Sequence, residues 1–385
     1  MRTQVWRIST MVWALATASA GCGGEPGGAA ADAASPDAAN VDAAVDAAPP
    51  IDAAPPVRHL GIEVNPVDDA TQLAVIDAVV APLGVDTIQL TLPWSWLEPT
   101  AGAADYDLLA YGLGAYAERG LSVLLSIPIV DTVSTFVPAD LDGVALDDPA
   151  LIARAEAMIA EVLARAGDEL AYLVLSNEVN INLDNIADPT VRAATWAALE
   201  TLTDALAAKV EALAPAVKTG ISVTSGALDP DSGRYSAAAA AAVDDDEVAF
   251  VTYYRGGNFG GGSGDDLADD LDDLLAAVTP PLVFKEFGYA TGPALGGSEA
   301  GQAAFFAEAF AAWDARAAGI ELVNVSRMFD GERAACEAQA ADYGLPGDEP
   351  FIQFLCTLGL RSADDVAKPA WATFAAAAAA RHWGP

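Results

Sequence analysis

Eight short apolar runs recur along the chain from about residue 58 onward. They are rich in β-branched residues and almost continuous in apolar side chains, which is typical of strands buried on both faces of a parallel sheet. The runs begin near His59, Asp86, Leu121, Ala171, Val217, Val248, Leu282 and Ile320. Longer stretches rich in Ala, Leu and Glu separate them and predict helices over residues 147–166, 189–214, 265–278 and 299–318.

Eight strands that alternate with helices favour a closed barrel. We therefore predict an α/β fold, a (β/α)8 or TIM barrel, as a single domain over residues 58–385. An open doubly wound sheet is the structural alternative. The first run lacks the glycine-rich phosphate loop that such sheets carry when they bind dinucleotides, which weakens that alternative.

The first 21 residues have the pattern of a lipoprotein-type signal peptide. Arg2 and Arg7 form a basic start, and the apolar stretch 8–18 is too short for a stable membrane anchor. Ser19-Ala20-Gly21-Cys22 resembles a bacterial lipobox, with Ser19 where Leu is usual. We expect export and lipidation at Cys22, which would anchor the protein to the cell envelope at the outer membrane or cell surface. Secretion after ordinary cleavage is the alternative.

Residues 22–57 predict a disordered linker. The segment consists largely of Ala, Asp, Pro and Gly, contains no aromatic residue and repeats Asp-Ala-Ala. Such a composition cannot bury a core, and its like charges repel. It would hold the barrel away from the membrane as a stalk.

The charge balance limits the partners. The chain has 55 Asp plus Glu against 18 Lys plus Arg, a formal net charge of −37. Such a field repels phosphate backbones and anionic lipids, so we exclude nucleic acid, expect a neutral carbohydrate rather than a polyanion, and expect membrane contact only through the lipid. Solubility alone also accounts for much of the acidity. We expect a monomer.

Three cysteines and two histidines constrain redox and metal chemistry. If Cys22 carries lipid, Cys336 and Cys356 remain as an even pair, and export then predicts a disulfide between them. Two buried free thiols are the alternative. The only histidines are His59 and His382, and no CxxC motif occurs, so we predict neither a metal site nor a cofactor.

Two glutamates follow predicted strands at corresponding points. Asn177-Glu178 follows the fourth run and Glu286 ends the seventh. In a barrel these positions face one mouth, at the C-terminal ends of the strands, where barrel enzymes hold their catalytic groups. A glycosidase needs such a pair, because one carboxyl must protonate the leaving oxygen while the other attacks or activates water.

These residues resemble glycoside hydrolase clan A, whose members are retaining (β/α)8-barrel enzymes. The resemblance spans residues 58–383 and includes Trp94-Ser95-Trp96-Leu97-Glu98-Pro99 after the second run. It implies that Glu178 is the general acid/base, that Glu286 is the nucleophile and that Asn177 bonds the sugar 2-hydroxyl. It also implies that Tyr254 bonds the nucleophile, with Thr252 where His is common. The two carboxyl groups should then lie about 5–5.5 Å apart.

Other residues after strand runs are candidates for binding sugar. Aromatic rings can stack on the apolar face of a pyranose, although core packing is an equally good explanation for each ring. The aromatic candidates are Trp94, Trp96, Tyr289 and Phe329. The candidates for binding hydroxyl groups are Glu63, Asn65, Asp131, Asn180, Arg255, Asn258 and Arg327.

Some features depart from the clan or leave alternatives open. Gln89 and Thr91 occupy the second run, where many members carry Arg, and strand alternation predicts that Lys285 points away from the barrel interior. The implied activity is endo-hydrolysis of a β-linked galactan, glucan or mannan. A non-catalytic carbohydrate-binding lipoprotein on the same barrel is the main alternative.

Residues 265–273 carry six aspartates, which we interpret as a helix start and a solvated acidic helix rather than a calcium loop.

Overall fold

The computed structural model describes residues 57–64, 70–255, 266–381 and 383. Residues 54–385 form one compact unit, to which all of these belong. The segments predicted as signal peptide and linker, including Cys22, lie outside the described residues apart from Val57. The same is true of the candidates Asn65 and Asn258.

Nine parallel strands form one sheet around the molecule. They are β1 (His59–Glu63), β2 (Thr87–Thr91), β3 (Ser122–Ser126), β4 (Leu170–Val174), β5 (Lys218–Gly220), β6 (Ser222–Thr224), β7 (Ala249–Arg255), β8 (Leu282–Tyr289) and β9 (Ile320–Val325). Their hydrogen-bonded order is β5-β4-β3-β2-β1-β9-β8-β7-β6.

The two end strands of this order are one stretch of chain. Only Ile221 separates β5, which pairs with β4, from β6, which pairs with β7. The fifth predicted strand is thus split at Ile221, and the sheet closes on itself through that segment. The predicted (β/α)8 barrel is confirmed, and the open-sheet alternative is wrong.

Helices follow the strands and form the outer layer. They are α1 (Ala70–Val75), α2 (Trp94–Leu97), α3 (Asp107–Ala117), α4 (Pro149–Leu163), α5 (Val179–Asp184), α6 (Pro189–Leu213), α7 (Ser225–Leu228), α8 (Ala237–Asp244), α9 (Leu267–Ala277), α10 (Glu299–Ala315), α11 (Arg333–Asp342), α12 (Glu349–Cys356) and α13 (Pro369–Ala379). A π-helical turn covers Ile76–Val80, and 3-10 turns cover Ala81–Leu83, Ala139–Leu141 and Pro293–Leu295.

Local sequence explains where the long helices begin. Asp148 and Asp188 each accept a backbone N–H of the first turn of α4 and α6, and a proline follows at the first helical position, where its missing N–H costs nothing. Asp266 caps α9 in the same way, as predicted for that end of the acidic segment. Within the described residues, no helix combines the length and apolarity needed to cross a bilayer.

Two apolar layers result from strand alternation. The larger core lies between sheet and helices, whereas a smaller cluster fills the barrel interior from strands on opposite walls. On β8, Val283 belongs to the inner cluster, and Phe284 and Phe287 belong to the outer core. Regular alternation leaves one residue between two side chains on the same face, but two residues separate Phe284 from Phe287. The extra residue marks a β-bulge.

An excursion after β9 carries α11 and α12, and we call residues 333–356 the cap. A disulfide joins Cys336 to Cys356, with the two Cα atoms 5.7 Å apart, so the predicted disulfide is confirmed. The cap has a small core of its own. It contacts the mouth of the barrel, because Phe354 packs edge-on against Tyr254 at 4.9 Å between ring centroids.

Candidate active site

Glu178 stands at a strained turn between β4 and α5. Its φ of 46° is in the left-handed region, which typically costs 1–3 kcal/mol for a residue of this type. The turn is held by two bonds, from Asn177 N to the Val130 carbonyl (2.8 Å) and from Glu178 N to Ser222 Oγ (3.2 Å). The side chain makes no capping bond to α5, so capping of that helix does not explain this residue.

The Glu178 carboxylate is bonded by two threonines from neighbouring loops and strands. Thr252 Oγ1, on β7, donates to Oε1 at 2.7 Å, and Thr132 Oγ1, in the loop after β3, donates to Oε2 at 3.0 Å. Thr252 therefore supports Glu178 directly. Sequence reasoning recorded Thr252 as a departure and did not identify Thr132.

Glu286 is bonded on both oxygens from inside the barrel. Tyr254 donates its hydroxyl to Oε2 at 2.5 Å and also shares a 2.8 Å hydrogen bond with Ser326 Oγ. Lys285 Nζ lies 2.6 Å from Oε1. The hydrogen bond expected between Tyr254 and Glu286 is present, and it fixes the carboxylate from the β7 side.

The prediction that Lys285 points away from the barrel interior is wrong. Its side chain is buried, and Nζ donates both to Glu286 Oε1 and, at 2.8 Å, to Asn177 Oδ1. The pairing of β7 with β8 shifts between Val251 and Thr252, which face Phe284 and Glu286, respectively. Lys285 is the extra residue of that bulge, so two consecutive side chains can face inward.

The Asn177 amide bonds three side chains close to the two glutamates. Its Nδ2 donates to Asp131 Oδ1 at 2.8 Å, while Oδ1 accepts from Lys285 Nζ and from Ser222 Oγ (3.0 Å). These bonds fix the amide orientation, because an ammonium group can only donate. The proposed contact of Asn177 with a sugar hydroxyl stays a prediction.

Environment separates the protonation states of the two carboxyl groups. Burial, followed by the negative charge of Glu286, raises the pKa of Glu178 to about 7. Burial would also raise the pKa of Glu286, but the charge and hydrogen bond of Lys285 and the hydrogen bond from Tyr254 bring it below its ordinary value. Near neutral pH the site therefore contains an ionised Glu286 and a Glu178 that can hold a proton, a division typical of acid/base pairs.

Several predicted sugar-binding residues have other positions. Trp94 has no exposed surface and belongs to the large core, so the prediction that it stacks on sugar is wrong. Asn180 is also buried, and both ends of its amide bond Thr224, with Nδ2 to Oγ1 and Oδ1 to the backbone N–H at 2.9 Å. It fastens α5 to β6.

Tyr289 and Arg255 point outward toward α10. The Tyr289 ring packs against Phe305 at 5.7 Å, and Arg255 forms a 2.6 Å ion pair with Glu308. Alternation along the strands explains both positions. Arg255 comes one residue after the inward-facing Tyr254 on β7, and Tyr289 comes three residues after the inward-facing Glu286 on β8. The predictions that these side chains line the mouth are wrong. Phe329 is partly buried against the large core.

Three other candidates keep positions compatible with binding. Trp96 on α2 has 61 % of its surface exposed. Arg327 contributes to the lowered pKa of Glu286, and Glu63 contributes to the raised pKa of Lys285, so both lie in the electrostatic surroundings of the pair. Arg327 also donates to the Leu355 carbonyl at 2.8 Å and thereby ties the barrel to the cap. Their contacts with substrate stay predictions.

Tyr343 of the cap also belongs to the surroundings of the pair. Burial, followed by the charges of Asp131 and Glu178, raises the pKa of its hydroxyl, which bonds Thr132. Sequence reasoning missed Tyr343, because nothing in the periodicity of the cap indicates which part of the barrel it covers.

Some aspartates of the acidic segment 265–273 make contacts that hold the fold together. Asp270 is buried and accepts the Tyr253 hydroxyl at 2.6 Å, whereas Asp272 pairs with Arg316. The prediction of a solvated acidic helix is therefore wrong for Asp270. Among the residues that the structure describes, no group of three or more His, Cys, Asp or Glu side chains is arranged to hold a metal ion.

Comparisons with known proteins agree with the fold. No family model and no curated protein sequence matches the chain. Among solved structures, GH5_18 from Streptomyces cattleya in complex with GlcNAc has a TM-score of 0.64 at 18% identity, covering 84% of this chain and 80% of that one. A variant of that protein bound to Manβ1-4GlcNAc also has a TM-score of 0.64, at 19% identity, with 83% and 80% coverage. The exo-β-1,4-mannosidase Op5Man5 from an Opitutaceae bacterium has a TM-score of 0.63 at 20% identity, covering 84% of this chain and 59% of that one. At these identities the likeness establishes a shared barrel fold.

Proposed function

We propose that this protein is a retaining glycoside hydrolase, with Glu286 as nucleophile and Glu178 as general acid/base. The observation that carries the proposal is the different surroundings of two glutamates at one barrel mouth, since hydroxyl groups bond Glu178 whereas a lysine and a tyrosine bond Glu286. These surroundings raise the pKa of Glu178 and lower that of Glu286. Similarity to barrels named as glycosidases supports it. A buried ion pair alone would not explain why the pKa of one carboxyl group is raised while that of the other is lowered.

The residues suit a double displacement. Glu286 attacks the anomeric carbon, and the bond to the leaving oxygen breaks as Glu178 gives that oxygen its proton. The ionised Glu178 then removes a proton from water, which attacks the glycosyl-enzyme ester and releases Glu286. Tyr254 and Lys285 hold the Glu286 carboxylate in place during attack. Thr132 and Thr252 orient Glu178 toward the leaving group.

The substrate we propose is a neutral β-linked glycan. The acidic charge disfavours polyanions, and β-mannosides come first because the comparison structures include an exo-β-1,4-mannosidase and a complex with Manβ1-4GlcNAc. Endo action on a galactan, glucan or mannan stays a prediction. The cap favours a second candidate, hydrolysis at chain ends, because its Phe354 packs against Tyr254 and its Tyr343 bonds Thr132, two side chains that contact the glutamates.

Hydrolysis by the purified barrel tests the proposal. The wild-type protein is incubated with aryl β-glycosides and with β-mannan, β-glucan and galactan, and products are separated by size. Chain-end action gives monosaccharide from the start, whereas endo action gives a ladder of oligosaccharides. Measurable sugar binding without hydrolysis of any substrate would instead support the non-catalytic binding protein.

We further propose that the protein is exported and lipid-anchored through Cys22. The support is the sequence of residues 1–22 and the disulfide between Cys336 and Cys356, which fits an oxidising compartment. Labelling with a fatty-acid analogue in a bacterial host should mark the wild-type protein but not a Cys22→Ser variant. Equal labelling of both would exclude lipidation at this residue.

A further inference from the structure

The bulge in β8 brings a cation to the nucleophile proposed above. Lys285 is 1% exposed, and regular alternation counted back from the inward-facing Glu286 would have turned it toward the helices. Because the bulge adds one residue between Phe284 and Glu286 in the pairing with β7, Lys285 and Glu286 face the same interior.

The ammonium group of Lys285 makes two bonds that have different consequences. The bond to Glu286 Oε1 at 2.6 Å, together with Tyr254 on Oε2, leaves the carboxylate little freedom to rotate. The bond to Asn177 Oδ1 at 2.8 Å forces the oxygen of that amide toward the lysine. The Asn177 NH2 group must then face Asp131, which takes one of its two hydrogens and leaves the other for a ligand.

A purely structural role explains this arrangement poorly. Desolvating an ammonium and a carboxylate usually offsets their attraction, so a well-packed apolar residue would often stabilise the barrel as much. Strand β2 carries no charged residue, and its Gln89 is bonded to Asn324 and Thr91. Lys285 therefore supplies from β8 a positive charge that β2 does not.

We infer that Lys285 is a positioning residue that holds both the Glu286 carboxylate and the Asn177 amide in their working orientations. The inference rests on the proposed hydrolysis. Lys285 need not touch the substrate, because it acts through the two side chains that do. Its removal should change the ionisation of Glu286 as well as the rate.

The test compares Lys285→Met, which removes the charge, with Lys285→Arg, which keeps it. In Lys285→Met the acidic limb of the kcat/KM profile should move up by about one pH unit or more, because an adjacent cation typically lowers a carboxyl pKa by that amount. At pH values below both acidic limbs this shift should reduce kcat/KM about tenfold for each unit, relative to the plateau of each protein, and Lys285→Arg should restore part of it. An unmoved acidic limb in Lys285→Met would overturn the inference.

Lys368→Met is the matched control. Lys368 is also buried and forms a 2.6 Å ion pair, with Asp330, outside the pair of glutamates. Its loss should lower stability without moving the acidic limb. A shift of that limb equal to the one in Lys285→Met would show that any buried lysine has this effect and would also overturn the inference.

A second measurement does not depend on hydrolysis. Carboxyl-¹³C glutamate is incorporated, the Glu286 signal is assigned with Glu286→Gln, and its pKa is followed by NMR in the wild-type protein and in Lys285→Met. We expect a wild-type pKa below that of free glutamate and a higher value in the variant. A wild-type pKa at or above the ordinary value contradicts the inference even if Lys285→Met fails to fold. If the wild-type pKa is lowered and rises in Lys285→Met but no sugar is hydrolysed, the effect of the lysine on Glu286 is supported and the proposed function is rejected.

Discussion

At the scale of single residues, the two glutamates differ because their immediate neighbours differ. Glu178 receives neutral hydroxyl donors from Thr132 and Thr252, whereas Glu286 receives a cation and a phenol. The strand-end positions of both could be predicted from sequence. Their neighbours could not all be predicted, because Lys285 reaches Glu286 through a one-residue shift in pairing that leaves the local composition unchanged.

The pH profile should report the hydrogen bond from Thr252. This bond lowers the pKa of Glu178, so Thr252→Val should raise that pKa. Hydrolysis needs protonated Glu178 and is lost as pH rises through its pKa. The basic limb of kcat/KM, near pH 7 in the wild type, should therefore move up by about one unit, the equivalent of one hydrogen bond to a charged group.

Thr219→Val is the control for this measurement. Thr219 is also a strand threonine whose hydroxyl makes a hydrogen bond, but its acceptor is the Leu173 carbonyl. Its substitution should leave the basic limb in place. A basic limb that moves down or stays fixed in Thr252→Val would show that Glu178 does not set it.

At the scale of elements, short connections bring each strand end to the mouth. The turn at Glu178 depends on α5, which Asn180 fastens to β6. The helices and strands could be predicted because their apolar periods differ. The role of Asn180 could not, since an asparagine after a strand serves equally well as a sugar ligand or as a link between elements.

Replacement of Asn180 should affect stability more than binding. Asn180→Ala removes both bonds to Thr224 and leaves buried polar groups unpaired, so we expect a loss of about 1–3 kcal/mol in the free energy of unfolding. Urea denaturation measures this loss, and KM should change little. Trp96→Ala provides the contrast, with a raised KM and nearly unchanged stability. A raised KM at full stability in Asn180→Ala would restore it as a sugar ligand.

The cap depends on its disulfide. Cys336 and Cys356 are 20 residues apart, and closing a loop of this size in the unfolded chain typically contributes about 3 kcal/mol. The double variant Cys336→Ser/Cys356→Ser should unfold at lower temperature in differential scanning calorimetry, whereas Cys22→Ser should not. Detection of reactive thiols at both cysteines in wild-type protein that has been unfolded without reduction would contradict the disulfide.

At the scale of the whole molecule, the two ends of the barrel carry different polar networks. The mouth holds the glutamate pair. The starts of the strands hold an ion pair of His59 with Asp86 at 2.8 Å and a link from Lys218 to Glu321 at 2.6 Å. The barrel itself could be predicted because buried parallel strands are continuous apolar runs. The cap could not be placed over the mouth, because its contacts join residues far apart in the chain.

Stability should depend on the protonation of His59. Its hydrogen bond with Asp86 raises the pKa of His59 above 6.5. The contribution is therefore fully present below about pH 6.5 and is lost as pH rises through the raised value. Because the pair is partly exposed, we expect less than about 1 kcal/mol. Chemical denaturation at pH 5.5 and 8.5 should show this dependence in the wild type and a smaller one in His59→Gln. An equal dependence in both would assign it elsewhere.

The roles of Glu178 and Glu286 are separated by rescue with azide. On an aryl glycoside with a good leaving group, Glu178→Ala should still form the glycosyl-enzyme, because little protonation is needed, but should release it slowly. Added azide should restore turnover and give a β-glycosyl azide, as two inversions at the anomeric carbon retain its configuration. Glu286→Ala should be inactive and should yield no such product. A β-glycosyl azide from Glu178→Ala alone would establish the assignment. Equal losses in both variants with no azide product, or an α-glycosyl azide from Glu178→Ala, would contradict it.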